Sequence, residues 1–200
     1  TRVTNTGGAG GGLWIIVSGS ISGTGTIRAN GADSNEVNNG AGGGGRIAFY
    51  YDSSQTGNST LSPVFQAFGG NDPGASATRL GGAGTVFIKD SSLVDGDLVL
   101  SNNNIISDAT RATPLFVTVP AGLPTSYTFR NLSVINRARL LIDTPCSGTP
   151  ALTVTGVTDL SGSGVITNNQ PGTCTVLQGA IAINTAILPT ATVNTVYSQA

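Results

Sequence analysis

The sequence predicts an all-β chain built as a stack of repeated coils, a β-solenoid or a closely related stacked-sheet architecture. Three observations predict it. Glycine boxes run straight into β-type bursts at Gly7-Gly8-Ala9-Gly10-Gly11-Gly12 before Leu13-Trp14-Ile15-Ile16-Val17, at Gly42 to Gly45 before Ile47-Ala48-Phe49-Tyr50-Tyr51, and at Gly81-Gly82-Ala83-Gly84 before Val86-Phe87-Ile88. The burst starts at Leu13, Ile47 and Val86 lie 34 and 39 residues apart, an interval that suits units burying their faces on one another. Helical periodicity is absent, whereas short β-branched and aromatic runs bounded by Gly, Asn, Asp or Pro come about every ten residues.

Taken in order, the expected strands are Leu13 to Val17, Thr26 to Ala29, Arg46 to Tyr51, Val64 to Phe68, Thr85 to Lys89 and Asp97 to Leu100, then Leu115 to Val119, Tyr127 to Ile135, Ala138 to Ile142, Leu152 to Val157, Gly164 to Thr167 and Thr175 to Ile183. Each is a run of β-branched, aliphatic or aromatic residues between breakers. Ile21 to Ile27 and Leu160 to Ile166 share a pattern with alternate glycines and read as corners, where a Cβ would clash or a positive φ is needed. Asn102-Asn103-Asn104, Asn38-Asn39 and Asn168-Asn169 read as turns, because Asn tolerates the left-handed region. Twenty-one of 29 glycines lie in residues 1–85 and seven of nine prolines after residue 110, so the first half is expected to turn at its glycine boxes and the second at Pro-marked loops. One solenoid domain over 1–187 follows, glycine-rich through 105 and proline-marked over 106–187. Residues 188–200 form an extended tail, a linker or a donated strand.

Charged residues are 10% of the chain against roughly 25% in ordinary domains, and the net charge is -1. Nine scattered basic residues cannot neutralise a phosphate backbone, which excludes nucleic acid as a partner. No run reaches the ~18 apolar residues that cross a bilayer, so no membrane span is expected. The two cysteines, Cys146 and Cys174, sit in turn-like Pro/Gly stretches and are the candidate disulfide, with free thiols or a metal site as weaker readings. A disulfide implies export. The chain begins at Thr1 and contains no Met, which reads as a processed mature protein or a piece of a longer one. Sequons stand at Asn58 and Asn131.

Chemistry-bearing motifs are sparse. Gly40, Gly42 and Gly45 satisfy G-x-G-x-x-G, but a β burst follows where a dinucleotide site needs a helix. The only lysine, Lys89, follows no phosphate-binding loop. With no histidine, Ser-His-Asp and Cys-His catalysis and His-bearing zinc sites are excluded. Asp95 and Asp97 would share a strand face as a hydrolase or calcium pair might, yet Val94 to Leu98 reads as a turn entering a strand; Asp143 and Asp159 stand alone. Trp14, Phe49 or Tyr50, and Phe87 read as stacked core aromatics, one per coil, with a sugar-stacking stripe as the other reading. Arg28, Arg46, Arg79, Arg130, Arg137 and Arg139 read as outward and solvated, the last two sharing a strand face. No catalytic, cofactor or metal residue is assigned. A carbohydrate-active β-helix is the rival, and it requires Asp95, Asp97, Lys89 and Arg111 to converge.

The stretches Gly10 to Ile16, Ile21 to Gly31, Gly42 to Tyr51 and Gly81 to Lys89 resemble the repeats of large secreted bacterial surface proteins of the right-handed β-helix or adhesin kind. Leu188 to Ser198 is similar to the first strand of immunoglobulin-like modules that follow such regions. The resemblance implies a right-handed coil and a non-enzymatic extracellular protein, either a fibre subunit or an adhesin stalk. An uncapped first coil leaves strand edges unpaired. Homo-oligomeric head-to-tail stacking is therefore expected, with Ala191, Val193, Val196 and Tyr197 of the tail as the self-assembly candidates. Further modules of the same polypeptide, or a polysaccharide, are the other expected partners.

Overall fold

The computed structural model describes residues 6–18, 23–34, 39–56, 64–72, 79–115, 126–142, 152–168, 175–177 and 181–182. Cys146, Cys174, Asp143, Asn58 and the tail candidates Ala191, Val193, Val196 and Tyr197 lie outside these residues.

The chain is all-β. Its first part contains β1 (Gly12–Val17), β2 (Thr26–Arg28), β3 (Arg46–Tyr51), a one-turn helix Ser53–Thr56, β4 (Val64–Gln66), β5 (Thr85–Asp90) and β6 (Asp97–Ser101). After a 3-10 turn at Ala109–Arg111 come β7 (Thr113–Pro114), β8 (Tyr127–Phe129), β9 (Leu132–Ile135), β10 (Arg139–Ile142), β11 (Leu152–Val154), β12 (Thr158–Asp159), β13 (Val165–Asn168), β14 (Thr175–Leu177) and β15 (Ile181–Ala182). A mixed seven-stranded sheet runs β1-β3-β5-β6-β9-β12-β15, and two three-stranded sheets run β13-β10-β7 and β14-β11-β8. The strands β2 and β4 make a fourth, two-stranded sheet.

The bursts pair in parallel as their spacing suggested. Leu13 stands beside Ile47 and Ile47 beside Val86. The boxes before them are not turns, which corrects the expectation. None of their described glycines has a positive φ; that conformation occurs at Gly23 and Gly162. They are extended segments whose bonding directions rotate every third residue, the period of a polyproline-II-type helix. Gly7 and Gly10 donate to the carbonyls of Gly40 and Gly43, and Ala41 and Gly44 donate to those of Arg79 and Gly82. Gly42 and Gly45 donate instead to Ala32 and Ala29, in a return segment running antiparallel to the boxes, and Gly81 and Gly84 donate to Gly70 and Ala67 in a second one.

Backbones this close leave no room for side chains. A Cβ on Gly42 would strike the Gly8 carbonyl, on Gly45 that of Gly11, on Gly81 that of Gly42 and on Gly84 that of Gly45. Another third of the positions faces the return segments: a Cβ on Gly10 or Gly44 would strike the carbonyl of Ala29 or Ala67. The glycines serve close approach, not conformational freedom.

The sheet carries cores on both of its faces. Ile47, Val86 and Val99 pack with Ala29, Ala67 and Phe65 on one side. Leu98 and Leu100 pack with Leu132, Val134, Leu140, Ile142, Leu152 and Val154 on the other, and Phe87 joins them. Alternation along β5 sends Val86 one way and Phe87 the other. The antiparallel β5-β6 pair carries both faces into the second part.

There, two expected strands divide at corners. The run Tyr127 to Ile135 bends at Arg130-Asn131 into β8 and β9, and Leu152 to Val157 ends early at Val154 before β12. Three further corners stack in a column, each with left-handed residues: Asn103 and Asn104, Asn136 and Arg137, and Gly162 and Ser163. Asn104 donates to the Asn136 carbonyl, and Asn136 to that of Ser161. Arg137 thus lies in a turn and not on a strand face with Arg139, whose Nε donates to the Ser107 carbonyl. Of the expected strand Leu115 to Val119, Leu115 directly follows β7 (Thr113–Pro114), and 116–119 lie outside the described residues.

Asn102, fully buried, ties the two parts together. It accepts from Gly69 N at 2.9 Å and donates to the carbonyls of Gly81 at 3.2 Å and Ile105 at 2.9 Å. Asn102→Ala leaves these backbone groups unpartnered and is expected to lower unfolding stability by about 3 kcal/mol. Gly45→Ala is expected to cost roughly 3 kcal/mol through the clash with Gly11, because backbone cannot withdraw as a side chain can. Denaturant midpoints of the two variants check both values.

Candidate assembly edge and aromatic face

Strand β1 ends the seven-stranded sheet, with β3 on one side and no described strand on the other. From Thr6 to Ser18 the sequence carries no charge and no proline. Edge strands that avoid association use charge, proline or brevity; this one has six residues and neither of the first two.

Its outward face is apolar. Trp14 is 75% exposed and Ile16 67%, which overturns the reading of Trp14 as a core aromatic. The reason lies in the two-faced sheet. Leu13, Ile47 and Val86 align on the face of the first core, whereas Trp14, Ala48 and Phe87 align on the other. At Phe87 that second face is closed by Phe129, but towards β1 it opens to solvent. A ladder of rings marks the transition. Trp14 meets Tyr50 at 6.5 Å, Tyr50 meets Phe87 at 5.8 Å and Phe87 meets Phe129 at 6.1 Å, each edge to face. Phe49 is the true core aromatic of its burst, 2% exposed and 5.3 Å from Phe65.

The charged residues that a carbohydrate enzyme would gather are instead engaged separately in local structure. Lys89 Nζ donates to the Val94 carbonyl at 2.8 Å across the β5-β6 turn. Asp95 is half-buried in that turn. Asp97 takes both Nε (2.8 Å) and Nη2 of Arg130, together with Asn131 N at 3.2 Å and Nδ2 at 2.9 Å, and so clasps the β8-β9 corner. Arg130 is therefore paired and not simply solvated. Arg111 pairs with Asp108 at 2.7 Å. Asn131 Oδ1 also accepts from Val157 N at 2.9 Å, so both ends of this sequon side chain hold the corner. Asp159 accepts from Ser161 N at 2.8 Å inside its own corner. Among the described residues no group of three or more His, Cys, Asp or Glu is placed to hold a metal ion.

Sequence reasoning missed two loop-fixing carboxylates. Asp90, at the end of β5, accepts from Ser53 N at 3.2 Å and Ser92 N at 3.0 Å. Hydrogen bonding from Ser53, then from Ser92, holds its carboxyl far below the usual carboxylate range. Asp108 caps the 3-10 turn through Thr110 N at 2.9 Å and the Thr110 hydroxyl at 2.6 Å, and that hydroxyl bond lowers its carboxyl too. Asp90 and Ser53 are 37 residues apart, so only the Asx-type signal of Asp90-Ser91-Ser92 was legible.

A shallow groove of about 360 Å³ runs across the three glycine boxes, walled by Arg46, Thr85 and 111–114. Its floor is backbone, and it contains no carboxylate.

Comparison with family models, curated proteins and solved structures returned no match.

Because the folded state depresses the Asp90 carboxyl, its contribution to stability is fully present above its unfolded value near 4 and is lost as pH falls below that value. Asp90→Asn is expected to flatten the fall of melting temperature between about pH 5 and pH 2. Thermal scans of both proteins across that range check it.

Proposed function

We propose that this chain is a non-enzymatic structural protein of the cell exterior, a β-solenoid serving as the subunit of a surface fibre or as the stalk of an adhesin. The observation that carries this reading is the in-register parallel stacking of strands from successive stretches of chain. Strands β7, β10 and β13, strands β8, β11 and β14, and strands β9, β12 and β15 each pair in parallel, three strands to a turn of the chain. Such a stack gains length by adding coils, each covering the one before, and suits an element that spans distance.

The use of charge supports the same reading. Asp90, Asp97, Asp108 and Asp159 all direct acceptors to turns and corners. Export fits the low charge and the two cysteines, Cys146 and Cys174, that the sequence offers for a disulfide. No helix among the described residues is long and apolar enough to cross a membrane. The proposed partners are copies of this chain stacked head to tail, or further modules of the same polypeptide.

Polysaccharide binding is the second reading, and exposed Trp14 favours it, since an outward indole can stack on a sugar ring. The ladder is a poor platform for several sugars in a row, because Tyr50 is tilted 62° to Trp14 and 63° to Phe87.

Electron microscopy of the native material tests the proposal. Fibres with a subunit-sized axial repeat, or rods forming the stalk of a larger surface protein, are expected. Isolated particles that cleave or release extracellular polysaccharide would overturn it.

A further inference from the structure

Arg137 and Arg139 share no strand face, yet the fold brings both to one cavity. Arg139 opens β10, half-buried, and Arg137 stands exposed in the corner before it. Together with Ile106, Ser107 and Ser163 they line a space of about 240 Å³, and no carboxylate lines it. Two bonds draw its walls together: the Arg139 Nε donates to the Ser107 carbonyl at 2.7 Å, and the Ser107 hydroxyl donates to the Arg137 carbonyl at 3.0 Å.

Neither guanidinium has an ion-pair partner among the described residues. The carboxylates of the neighbouring turns are committed elsewhere, Asp108 to Arg111 and Thr110, and Asp159 to Ser161 N. Asp33 lines the adjoining cavity, but its Oδ1 accepts from Asn71 N at 2.6 Å and it makes no ion pair with Arg137. With Nε engaged, the plane of the Arg139 guanidinium is fixed, and its two Nη groups have no partner among the described residues. They make the two-donor fork that suits an oxyanion. A half-buried cation without a counter-charge is otherwise costly. Backbone geometry points the same way. The stacked corners place Asn103, Asn104, Asn136, Gly162 and Ser163 at positive φ, and Asn and Gly bear that conformation with least strain. Arg137 bears it too, at φ 65°, where an arginine is a strained choice that use of its side chain accounts for.

We propose that Arg137, Arg139 and the Ser163 hydroxyl form an oxyanion site, taking the carboxylate or sulfate group of an acidic saccharide. The adjoining cavity, about 500 Å³, shares Ile106 and Arg137 with this one and adds the amides of Asn71, Asn103 and Asn104. Such amides both donate to and accept from sugar hydroxyls. Trp14 lines neither cavity, so this site is separate from the exposed indole. It does not depend on the fibre reading, because a fibre subunit and a free particle would present it alike.

The test is isothermal titration calorimetry of the full chain with sodium sulfate and with sodium polygalacturonate at constant ionic strength. Saturable binding of both is expected. Arg137→Asn suits the left-handed corner, so it is expected to keep the melting temperature while weakening binding about tenfold, the loss of one charge-assisted contact. Arg28→Gln, which removes one positive charge from exposed β2, is expected to leave binding unchanged. Binding of neither probe overturns the proposal. So does binding that Arg137→Asn leaves intact, or that both variants weaken equally. Sulfate binding without polygalacturonate binding overturns the saccharide and assigns the site to a free ion. Each of these results leaves the fibre reading to electron microscopy.

Discussion

Backbone pressed directly on backbone is the constraint that organises the first half of this protein. A glycine box can lie on the next one only where neither carries a Cβ at the contact, and carbonyls of the box above occupy that space at Gly42, Gly45, Gly81 and Gly84. Once the boxes are seated, the strands that leave them have no freedom of register. Arg46 must stand beside Gly12 and Thr85 beside Arg46, and the aliphatic residues of the three bursts then fall into columns. The boxes thus set the alignment that hydrophobic burial afterwards exploits.

The second consequential feature is the two-faced sheet. A parallel β1-β3-β5 stack meets an antiparallel hairpin at β5-β6, so one sheet serves the glycine-layered part with one face and the leucine-rich part with the other. The aromatic ladder follows from this handover: Phe87 and Phe129 lie over the larger core, whereas Tyr50 and Trp14 continue the same face beyond it into solvent. Asn102 fastens the junction. A buried amide is costly unless its donors and acceptor are used, and here it bonds Gly69, Gly81 and Ile105 at once.

Charge is scarce, and three of the carboxylates stand where the chain changes direction. Asp97 with Arg130 and Asn131 holds one corner, Asp90 gathers the loops that carry Ser53 and Ser92, and Asp108 caps the turn leading to β7. Carboxylates that accept backbone amides in this way are architectural groups. The lowering of the Asp90 and Asp108 carboxyls reflects hydrogen bonding.

Strand positions were legible in the chain itself, because alternation of β-branched and aromatic residues between Gly, Asn and Pro is a local property; β3 has the predicted bounds and β1, β5 and β6 fall within a residue of them. The parallel relation of the glycine-box bursts was legible too, since their spacing repeats. The form of the boxes was not, because a turn that needs positive φ and a segment that needs close approach ask for the same residue, and composition cannot separate them. Nor was the fate of Trp14: alternation placed it on one face of β1, but which face would be covered depended on the reversal at β6, more than 80 residues further on. The pairing of Asp97 with Arg130 across 33 residues, and the division of Tyr127 to Ile135 at that corner, likewise required the folded chain, since long-range register and corner geometry arise only when strands distant in sequence are laid side by side.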